Sequence, residues 1–158
     1  MRLIPKKSLG QNFLIDINVI KKICDAGNIT GQNYILEIGP GTGNLSEIIL
    51  LKKPKKFHVI EKDKRIIEHL NHKFKDNVTV LNEDVLKYNL KFLSNKNLIV
   101  FGNLPYNISS QILVKFIHLK KKDFLFKKLV FMFQKEVADR ILAEVNTNNY
   151  GRLAIFAS

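Results

Sequence analysis

Residues 34–51 read YILEIGPGTGNLSEIILL, and this segment sets the expected architecture. Residues 34–38 form an apolar run broken only by Glu37, which is typical of a short strand buried on both faces. A glycine turn at residues 39–43 follows this run, and residues 44–51 are rich in apolar side chains that suit a helix. A buried strand, a tight turn and a helix in this order predict the first βα unit of a parallel sheet.

The same alternation of strand and helix continues on both sides of this segment. Asp16 and Asp63 are suitable helix N-caps, since each precedes a run with apolar side chains at helical spacing. The pattern predicts further strands at residues 57–60, 78–81, 98–101 and 129–133, and further helices at residues 17–24, at 64–73, after Ser109 and at 136–144. Apolar strands that alternate with helices predict an α/β fold, with a doubly wound, mostly parallel sheet covered on both faces.

Polar groups or turns follow four of the predicted strands. Gly39, Glu61, Asp84 and Asn103 each come at or shortly after the carboxyl end of a strand. Ligands of open α/β sheets bind outside the carboxyl ends of the strands, so we expect these four residues to converge on one crevice. This convergence indicates a binding site more strongly than any single motif does.

The glycine turn and the two acidic residues indicate a nucleoside-type cofactor. Gly39 and Gly41 allow a ligand to approach main-chain atoms, and the following helix points its N-terminus toward a carboxylate or phosphate. Glu61 is placed to accept hydrogen bonds from both ribose hydroxyls, and Asp84 to meet an adenine amino group. The turn lacks Gly-x-Gly-x-x-Gly spacing, and Pro40 removes one N–H, which disfavours a nicotinamide dinucleotide without excluding it.

Residues 103–106, NLPY, are suited to a reaction at an exocyclic amine. The adenine amine is a poor nucleophile because its lone pair is delocalised into the ring. The side-chain oxygen of Asn103 and the main-chain carbonyl of Leu104 can each accept one of its N–H groups, which favours tetrahedral geometry at the nitrogen. Pro105 makes the turn rigid, and Tyr106 offers a face on which a base can stack. A sulfonium methyl donor then needs mainly positioning by the protein, since no strong general base is required.

Seven motifs occur in the order typical of one enzyme family. They are residues 8–14 (SLGQNFL), residues 36–43 (LEIGPGTG), Glu61, Asp84, residues 103–109 (NLPYNIS), residues 134–140 (QKEVADR) and residues 150–153 (YGRL). Together they resemble the ribosomal RNA adenine N6,N6-dimethyltransferase family, which contains the KsgA-type enzymes and the erythromycin-resistance methylases. The resemblance covers essentially the whole chain.

This resemblance implies a class I S-adenosylmethionine-dependent methyltransferase with a Rossmann-like fold. S-adenosylmethionine is the implied cofactor, with its methionine end at the glycine turn, its ribose at Glu61 and its adenine at Asp84. Asn103 would bridge the cofactor and the target amine, and Tyr106 would stack on the target base. The implied cofactor-binding residues are Gln11, Asn12, Leu14, Gly39, Gly41, Glu61, Lys62, Asp84, Val85 and Asn103, and the implied catalytic residues are Asn103, Leu104 and Tyr106.

The resemblance also implies a substrate. KsgA-type members methylate two adjacent adenines of small-subunit (16S-type) rRNA, twice each, during ribosome biogenesis, and we expect this function because it is the more widespread one. The resistance methylases modify a large-subunit adenine instead, and residues 102–109 do not separate the two groups. A non-catalytic RNA-binding assembly factor is a further alternative, which Asn103 and Tyr106 argue against.

An excess of positive charge agrees with an RNA substrate. Lys and Arg number 26 and Asp and Glu 14, which gives a net charge of +12; such an excess favours a polyanionic partner. Lys6 and Lys7, which precede the first motif, are the expected RNA contacts. Cys24 is expected to be a small buried apolar residue. His69 and His72 have helical spacing but no apparent acidic or cysteine companion, so we predict no metal site.

We expect residues 1–158 to form one catalytic domain that binds S-adenosylmethionine. Family members continue further, with more strands, a downstream aromatic residue that sandwiches the base and a helical C-terminal domain, so we expect the domain to be truncated at its C-terminus. The sequence lacks the apolar block of a secretory leader and any apolar run near the roughly 20 residues that cross a membrane. We therefore expect a monomer in the cytoplasm, without membrane contact, and an organelle of an AT-rich organism is the alternative compartment.

Overall fold

Five strands and six α-helices make up the computed structural model, which describes residues 3–6 and 10–158. The strands are β1 (Tyr34–Ile38), β2 (Lys56–Glu61), β3 (Thr79–Asn82), β4 (Leu98–Asn103) and β5 (Lys128–Met132). The helices are α1 (Ile17–Gly27), α2 (Asn44–Leu51), α3 (Lys64–Phe74), α4 (Ser109–Lys120), α5 (Lys135–Ile141) and α6 (Arg152–Ala157). Single 3-10 turns lie at Lys75–Asn77 and Lys91–Leu93.

All five strands are parallel and form one sheet in the order β3-β2-β1-β4-β5. The chain builds outward from β1 to β3 and then returns to add β4 on the other side of β1, so the strand order reverses beside β1. The register pairs Ile38 at the end of β1 with Ile60 of β2 and Gly102 of β4. The turns that follow these three strands therefore emerge together, at the switch point where open α/β sheets bind ligands.

Each face of the sheet is covered by its own apolar cluster. Ile35 and Phe101 belong to the cluster that contains buried residues of α1, α2 and α3. Leu36 belongs to the opposite cluster, which contains Ile112 and Phe116 of α4. Burial on both faces explains why the strands are apolar throughout rather than alternating, and the predicted α/β, doubly wound fold is confirmed.

Helix ends follow the local sequence signals. Asp16 Oδ1 accepts hydrogen bonds from the main-chain N–H groups of Asn18 and Val19, at 2.8 and 3.2 Å, and so caps α1. Asp63 caps α3 in the same way through the N–H of Arg65, at 3.1 Å. Both predicted caps are confirmed, and Cys24 is buried as expected. Within residues 3–6 and 10–158, none of the helices has the length and apolar character needed to cross a membrane.

The predicted helix at residues 136–144 is wrong at its C-terminal end. Helix α5 stops at Ile141, and a chain of turns follows, with Asn146 in the left-handed conformation at φ 71°. Asn and Thr side chains in this segment favour turns over helix. Strand β5 also ends at Met132, one residue before the predicted end, and the short helix α6 was not predicted.

Replacing Gly43 with alanine should destabilise the fold. Gly43 precedes α2 with φ 79°, and a Cβ there would lie 2.6 Å from Phe74 Cε2 and 3.0 Å from Leu70 Cδ2. Left-handed strain and overpacking together should lower the free energy of unfolding by about 2–4 kcal/mol. Gly31→Ala is the matched control, since the nearest atom to its Cβ would be Lys53 O at 3.6 Å. Urea denaturation of both variants checks this, and an equal effect of the two would contradict it.

Candidate active site

An open cleft lies along the carboxyl edge of the sheet. Its floor is apolar, because Ile38 at the end of β1 and Ile60 near the end of β2 lie there and Ile112 approaches from α4. Nine of the ten predicted cofactor-binding residues line it: Gln11, Asn12, Gly39, Gly41, Glu61, Lys62, Asp84, Val85 and Asn103. The fold therefore brings together residues from five separate segments of the chain.

The glycine turn forms one end of this cleft. Gly39 and Gly41 have φ of 64° and 57°, a conformation that side chains disfavour. A Cβ on Gly41 would lie 3.0 Å from the ring of Phe13. Beneath the turn, Ser46 Oγ of α2 donates a 2.6 Å hydrogen bond to Glu37 Oε2 of β1, and burial raises the pKa of Glu37 to about 7. This buried bond ties the start of α2 to the strand and fixes the shape of the turn.

Glu61 presents a partly satisfied carboxylate to the cleft. Its Oε1 accepts hydrogen bonds from the main-chain N–H groups of Lys62 and Asp63, at 2.8 and 2.9 Å. No donor in the described part of the chain reaches Oε2. Burial raises the pKa of Glu61, and the two main-chain N–H groups oppose this shift. A carboxylate oxygen without a protein donor, at the wall of a cleft, is suited to a ligand with hydroxyl donors.

Asp84 organises the turn that follows β3. Its Oδ1 accepts a 2.9 Å hydrogen bond from the N–H of Leu86, and its main-chain carbonyl accepts from Lys87 and Tyr88. Its Oδ2 lies 3.8 Å from Lys62 Nζ across the cleft. Oδ1 thus stabilises the turn, while Oδ2 faces Lys62 and remains able to accept a hydrogen bond from a ligand.

Residues 10–14, which we name the N-terminal strap, run across the carboxyl edge of β4. The carbonyl of Asn12 accepts a 2.8 Å hydrogen bond from Asn103 Nδ2, and Asn12 Nδ2 donates a 2.6 Å bond to the hydroxyl oxygen of Tyr106. The carbonyl of Leu14 accepts a 2.8 Å bond from Asn44 Nδ2 at the start of α2. The strap is thereby joined to the end of β4, to the turn that follows it and to the start of α2.

Asp63 anchors the strap from the other side. Gln11 Nε2 donates a 3.1 Å hydrogen bond to Asp63 Oδ2, while Gln11 Oε1 accepts from the N–H of Lys6 at 2.8 Å. Arg65 donates to both oxygens of the same carboxylate, at 3.1 and 2.6 Å. These charge-assisted bonds, chiefly that with Arg65, lower the pKa of Asp63 to about 2. A residue predicted only as a helix cap therefore also holds the strap in place.

Asn103 has a fixed amide orientation. Its Nδ2 is used by the strap carbonyl, and no donor in the described residues reaches its Oδ1. A fixed amide with a free oxygen is suited to accept a hydrogen bond from an amine held in the site.

A second cleft adjoins the first. Asn12, Phe13 and Asn103 line both clefts, and the second is completed by residues that include Tyr106, Met132 and Phe133. Tyr106 is 44% exposed, so the residue is available to a flat ligand rather than packed in the core. Asn103 consequently stands at the junction between a cleft suited to a nucleoside and one with aromatic walls.

Three predicted residues of the described part of the chain do not line the first cleft. Leu14 packs against the core and lines the second cleft, and its contact with the cofactor stays a prediction. The side chain of Leu104 is buried in the core, which leaves only its main chain for the predicted role. Lys6 Nζ is directed toward Asp63, with 4.0 Å to Oδ2. Lys7 lies outside the described residues.

Several lining residues were missed by sequence reasoning. Phe13 lies between the clefts, and its position inside residues 8–14 could have indicated this role. Ile108, which immediately precedes α4, and Ile112 of α4 lie four residues apart and form an apolar wall. Their helical spacing in the sequence could have indicated this. No group of three or more potential metal-ligating side chains occurs in residues 3–6 and 10–158.

Comparison with known proteins places the chain in a family. The profile of ribosomal RNA adenine dimethylases matches residues 4–158. The chain belongs to the ribosomal RNA adenine dimethylase family. The predicted family is therefore confirmed by a match over almost the whole chain.

Named relatives of this adenine dimethylase family member are longer than the chain. The chain is 54% identical over 153 residues to the ribosomal RNA small subunit methyltransferase A of Pelagibacter ubique, and the match covers 97% of the chain and 58% of that protein. The crystal structure of a dimethyladenosine transferase from Plasmodium falciparum superposes with a TM-score of 0.77 at 36% identity, over 92% of the chain and 51% of that structure. The crystal structure of the 23S rRNA methyltransferase ErmE superposes with a TM-score of 0.70 at 24% identity, over 92% of the chain and 55% of that structure. The chain spans little more than half the length of each of these three proteins. Its fold is that of class I methyltransferases.

Asp63→Asn should destabilise this adenine dimethylase family member above pH 4 but not near pH 2. Asn at this position can still cap the helix, but it lacks the negative charge that accepts hydrogen bonds from Arg65 and Gln11. The loss of this charge should lower the free energy of unfolding by about 1–2 kcal/mol at pH 7. Because the folded pKa of Asp63 lies below its unfolded value of 3.8, its stabilisation is complete above the unfolded value. This stabilisation by the Asp63 carboxylate is lost as the pH falls toward 2, and about half of it is lost at pH 3.

Urea denaturation of both proteins at pH 7 and pH 3 tests this behaviour. Asp139→Asn is the matched control, because it removes a 2.7 Å ion pair with Lys135 on the exposed face of α5. It should change stability by under about 0.5 kcal/mol. A difference between wild type and Asp63→Asn that stayed constant from pH 7 to pH 3 would contradict the role of the charge.

Proposed function

We propose that the chain transfers methyl groups from S-adenosylmethionine to the exocyclic N6 amine of adenines in small-subunit rRNA. The observation that carries this proposal is the position of Asn103, which lines both the first cleft and the aromatic-walled cleft beside it. A donor in one cleft and a flipped-out base in the other would meet at that amide.

The first cleft fits S-adenosylmethionine. The free Oε2 of Glu61 is suited to a ribose hydroxyl and the carboxylate of Asp84 to the adenine amino group. Ile60 and Ile112 provide apolar surfaces against which a purine ring can pack. The glycine turn, which a Cβ at Gly41 would crowd, would receive the methionine end.

The second cleft suits the target adenine. When bound, S-adenosylmethionine supplies an activated methyl group on its sulfonium sulfur. Asn103 Oδ1 accepts one amine N–H and the main-chain carbonyl of Leu104 the other, so that the nitrogen lone pair is directed toward the donor. Tyr106 stacks on the base, and its hydroxyl is held by Asn12 of the strap at 2.6 Å. The protein contributes positioning, which is the main requirement for an in-line displacement.

The proposed RNA substrate is supported by the relatives and by charge. The Pelagibacter ubique relative is named for the small ribosomal subunit, and the Plasmodium falciparum structure for dimethyladenosine. The net charge of +12 favours a phosphate backbone, with Lys6 and Lys7 as RNA contacts. We extend the proposal to dimethylation of two adjacent adenines during ribosome biogenesis in the cytoplasm.

The proposed unit is residues 1–158 as a catalytic domain that binds S-adenosylmethionine. We propose that it acts as a monomer.

Asn103→Ala should abolish methyl transfer while leaving the cofactor bound. Labelled S-adenosylmethionine is incubated with undermethylated small subunits, and the RNA is digested and examined for N6,N6-dimethyladenosine. Loss of the amide should lower the rate by about 100-fold or more, and calorimetry should show S-adenosylhomocysteine bound within about fivefold of the wild-type affinity. Asn71→Ala, the same change at an exposed position of α3, should retain wild-type activity.

The outcomes separate the alternatives. Label on small-subunit adenine, lost only in Asn103→Ala, supports the proposal. Label on large-subunit RNA alone would overturn the small-subunit assignment. Cofactor binding without label on either subunit would favour a non-catalytic RNA-binding factor.

A further inference from the structure

One lysine of α4 satisfies three main-chain carbonyls beside the cofactor cleft. Lys115 Nζ donates hydrogen bonds to the carbonyls of Val85, Leu86 and Tyr88, at 2.6, 3.0 and 2.8 Å. An ammonium group has three N–H donors, so all of them are used by this one turn. Lys115 is half-buried, and desolvation lowers its pKa.

The turn that Lys115 holds is the one that carries Asp84. Asp84 closes the turn from its N-terminal side, through the N–H groups of Leu86, Lys87 and Tyr88. On the other side, no main-chain N–H in the described part of the chain donates to the three carbonyls that Lys115 binds. Partly buried carbonyls need a donor, and Lys115 supplies all three bonds. The turn is therefore held between a carboxylate and an ammonium group.

Helix α4 also reaches the reaction centre. It begins at Ser109, shortly after Asn103 and Tyr106, and the residues Ile108 and Ile112 line the cofactor cleft. Lys115 follows Ile112 by three positions and so lies on the same side of the helix. One rigid helix thus connects the segment that would hold the target amine to the turn that would hold the adenine.

We infer that Lys115 is a positioning residue that sets the adenine selectivity of the cofactor cleft by holding the Asp84 turn in place. This inference rests on the proposed function, since it assigns Asp84 to the adenine amino group. If the turn is released, Asp84 no longer has a fixed position, and the cleft loses its preference for a base with an amine. Lys115 itself is not among the residues that line the cofactor cleft.

Calorimetry with two ligands tests this on the 158-residue chain. S-adenosylhomocysteine carries the amine, and S-inosylhomocysteine has an oxygen in its place that would face the Asp84 carboxylate. The wild type should prefer the first ligand by about 30-fold or more, because a buried acceptor left without a donor penalises binding. Lys115→Met, which keeps the length of the side chain and removes its donors, should reduce the preference to within about threefold.

The controls separate selectivity from general damage. Lys128→Met makes the same change at a lysine that donates to the Ala26 carbonyl, at 2.9 Å and away from the cleft; it should keep the wild-type ratio. A binding stoichiometry near one shows that a variant is folded. Should Lys115→Met fail to fold, Lys115→Gln, which keeps N–H donors on a shorter, uncharged side chain, should still lower the ratio by at least about fivefold.

An unchanged ratio in a folded Lys115 variant would overturn the inference and leave the proposed function intact. A wild type that binds neither ligand would overturn the proposed cofactor site, and the inference with it. A wild type that binds both ligands equally would show that Asp84 does not read the amine, which also overturns the inference.

Discussion

The parallel pairing of β1 with both β2 and β4 is the constraint on which the rest of this structure depends. It aligns the ends of three strands, with Ile38 beside Ile60 on one side and Gly102 on the other. The glycine turn, Glu61 and Asn103 are the residues that immediately follow or end those strands. Burial on both faces keeps this register fixed, since a slip would exchange the side chains that fill the two apolar clusters. The position of the site is therefore a consequence of the core.

The core alone does not complete the site. The N-terminal strap closes it through long-range polar contacts, of which the bonds from Asn103 to Asn12 and from Gln11 to Asp63 are the main ones. At Asn103 this contact uses one half of the side chain and leaves the other half for a ligand. The amide nitrogen of Asn103 donates to the strap, and its amide oxygen has no donor in the described residues. In the same way, Glu61 Oε1 accepts from the main chain, while Oε2 has no donor in the described residues. The same polar groups thus stabilise the edge of the sheet and prepare it for binding.

The sequence predicted those features that depend on local pattern. Strand β1 and helix α2 begin and end at the predicted residues, because a continuous apolar run, a glycine turn and a helical segment follow each other without ambiguity. The convergence of Glu61, Asp84 and Asn103 also followed from the sequence, since strands of a parallel sheet share one carboxyl edge. Nine of the ten cofactor residues inferred from family motifs line the cleft.

Features that depend on distant partners were not predictable from the same patterns. Gln11 and Asp63 are 52 residues apart, and Lys115 meets the Asp84 turn from 27 to 30 residues away. The local spacing of a lysine on an amphipathic helix does not show whether its side chain binds three carbonyls or is solvated. A motif likewise gives the order of residues but not which side of the strap each one faces, and Leu14 lines the second cleft rather than the first.

A crystal structure of the chain with S-adenosylhomocysteine is the measurement that tests the central claim most directly. The account predicts the ligand in the cleft at the carboxyl edge, with its ribose hydroxyls at Glu61, its adenine amino group at Asp84 and its amino-acid end at the glycine turn, and its sulfur toward Asn103. A ligand bound in the reverse direction, with its adenine at the glycine turn, or one bound away from this edge of the sheet, would contradict it.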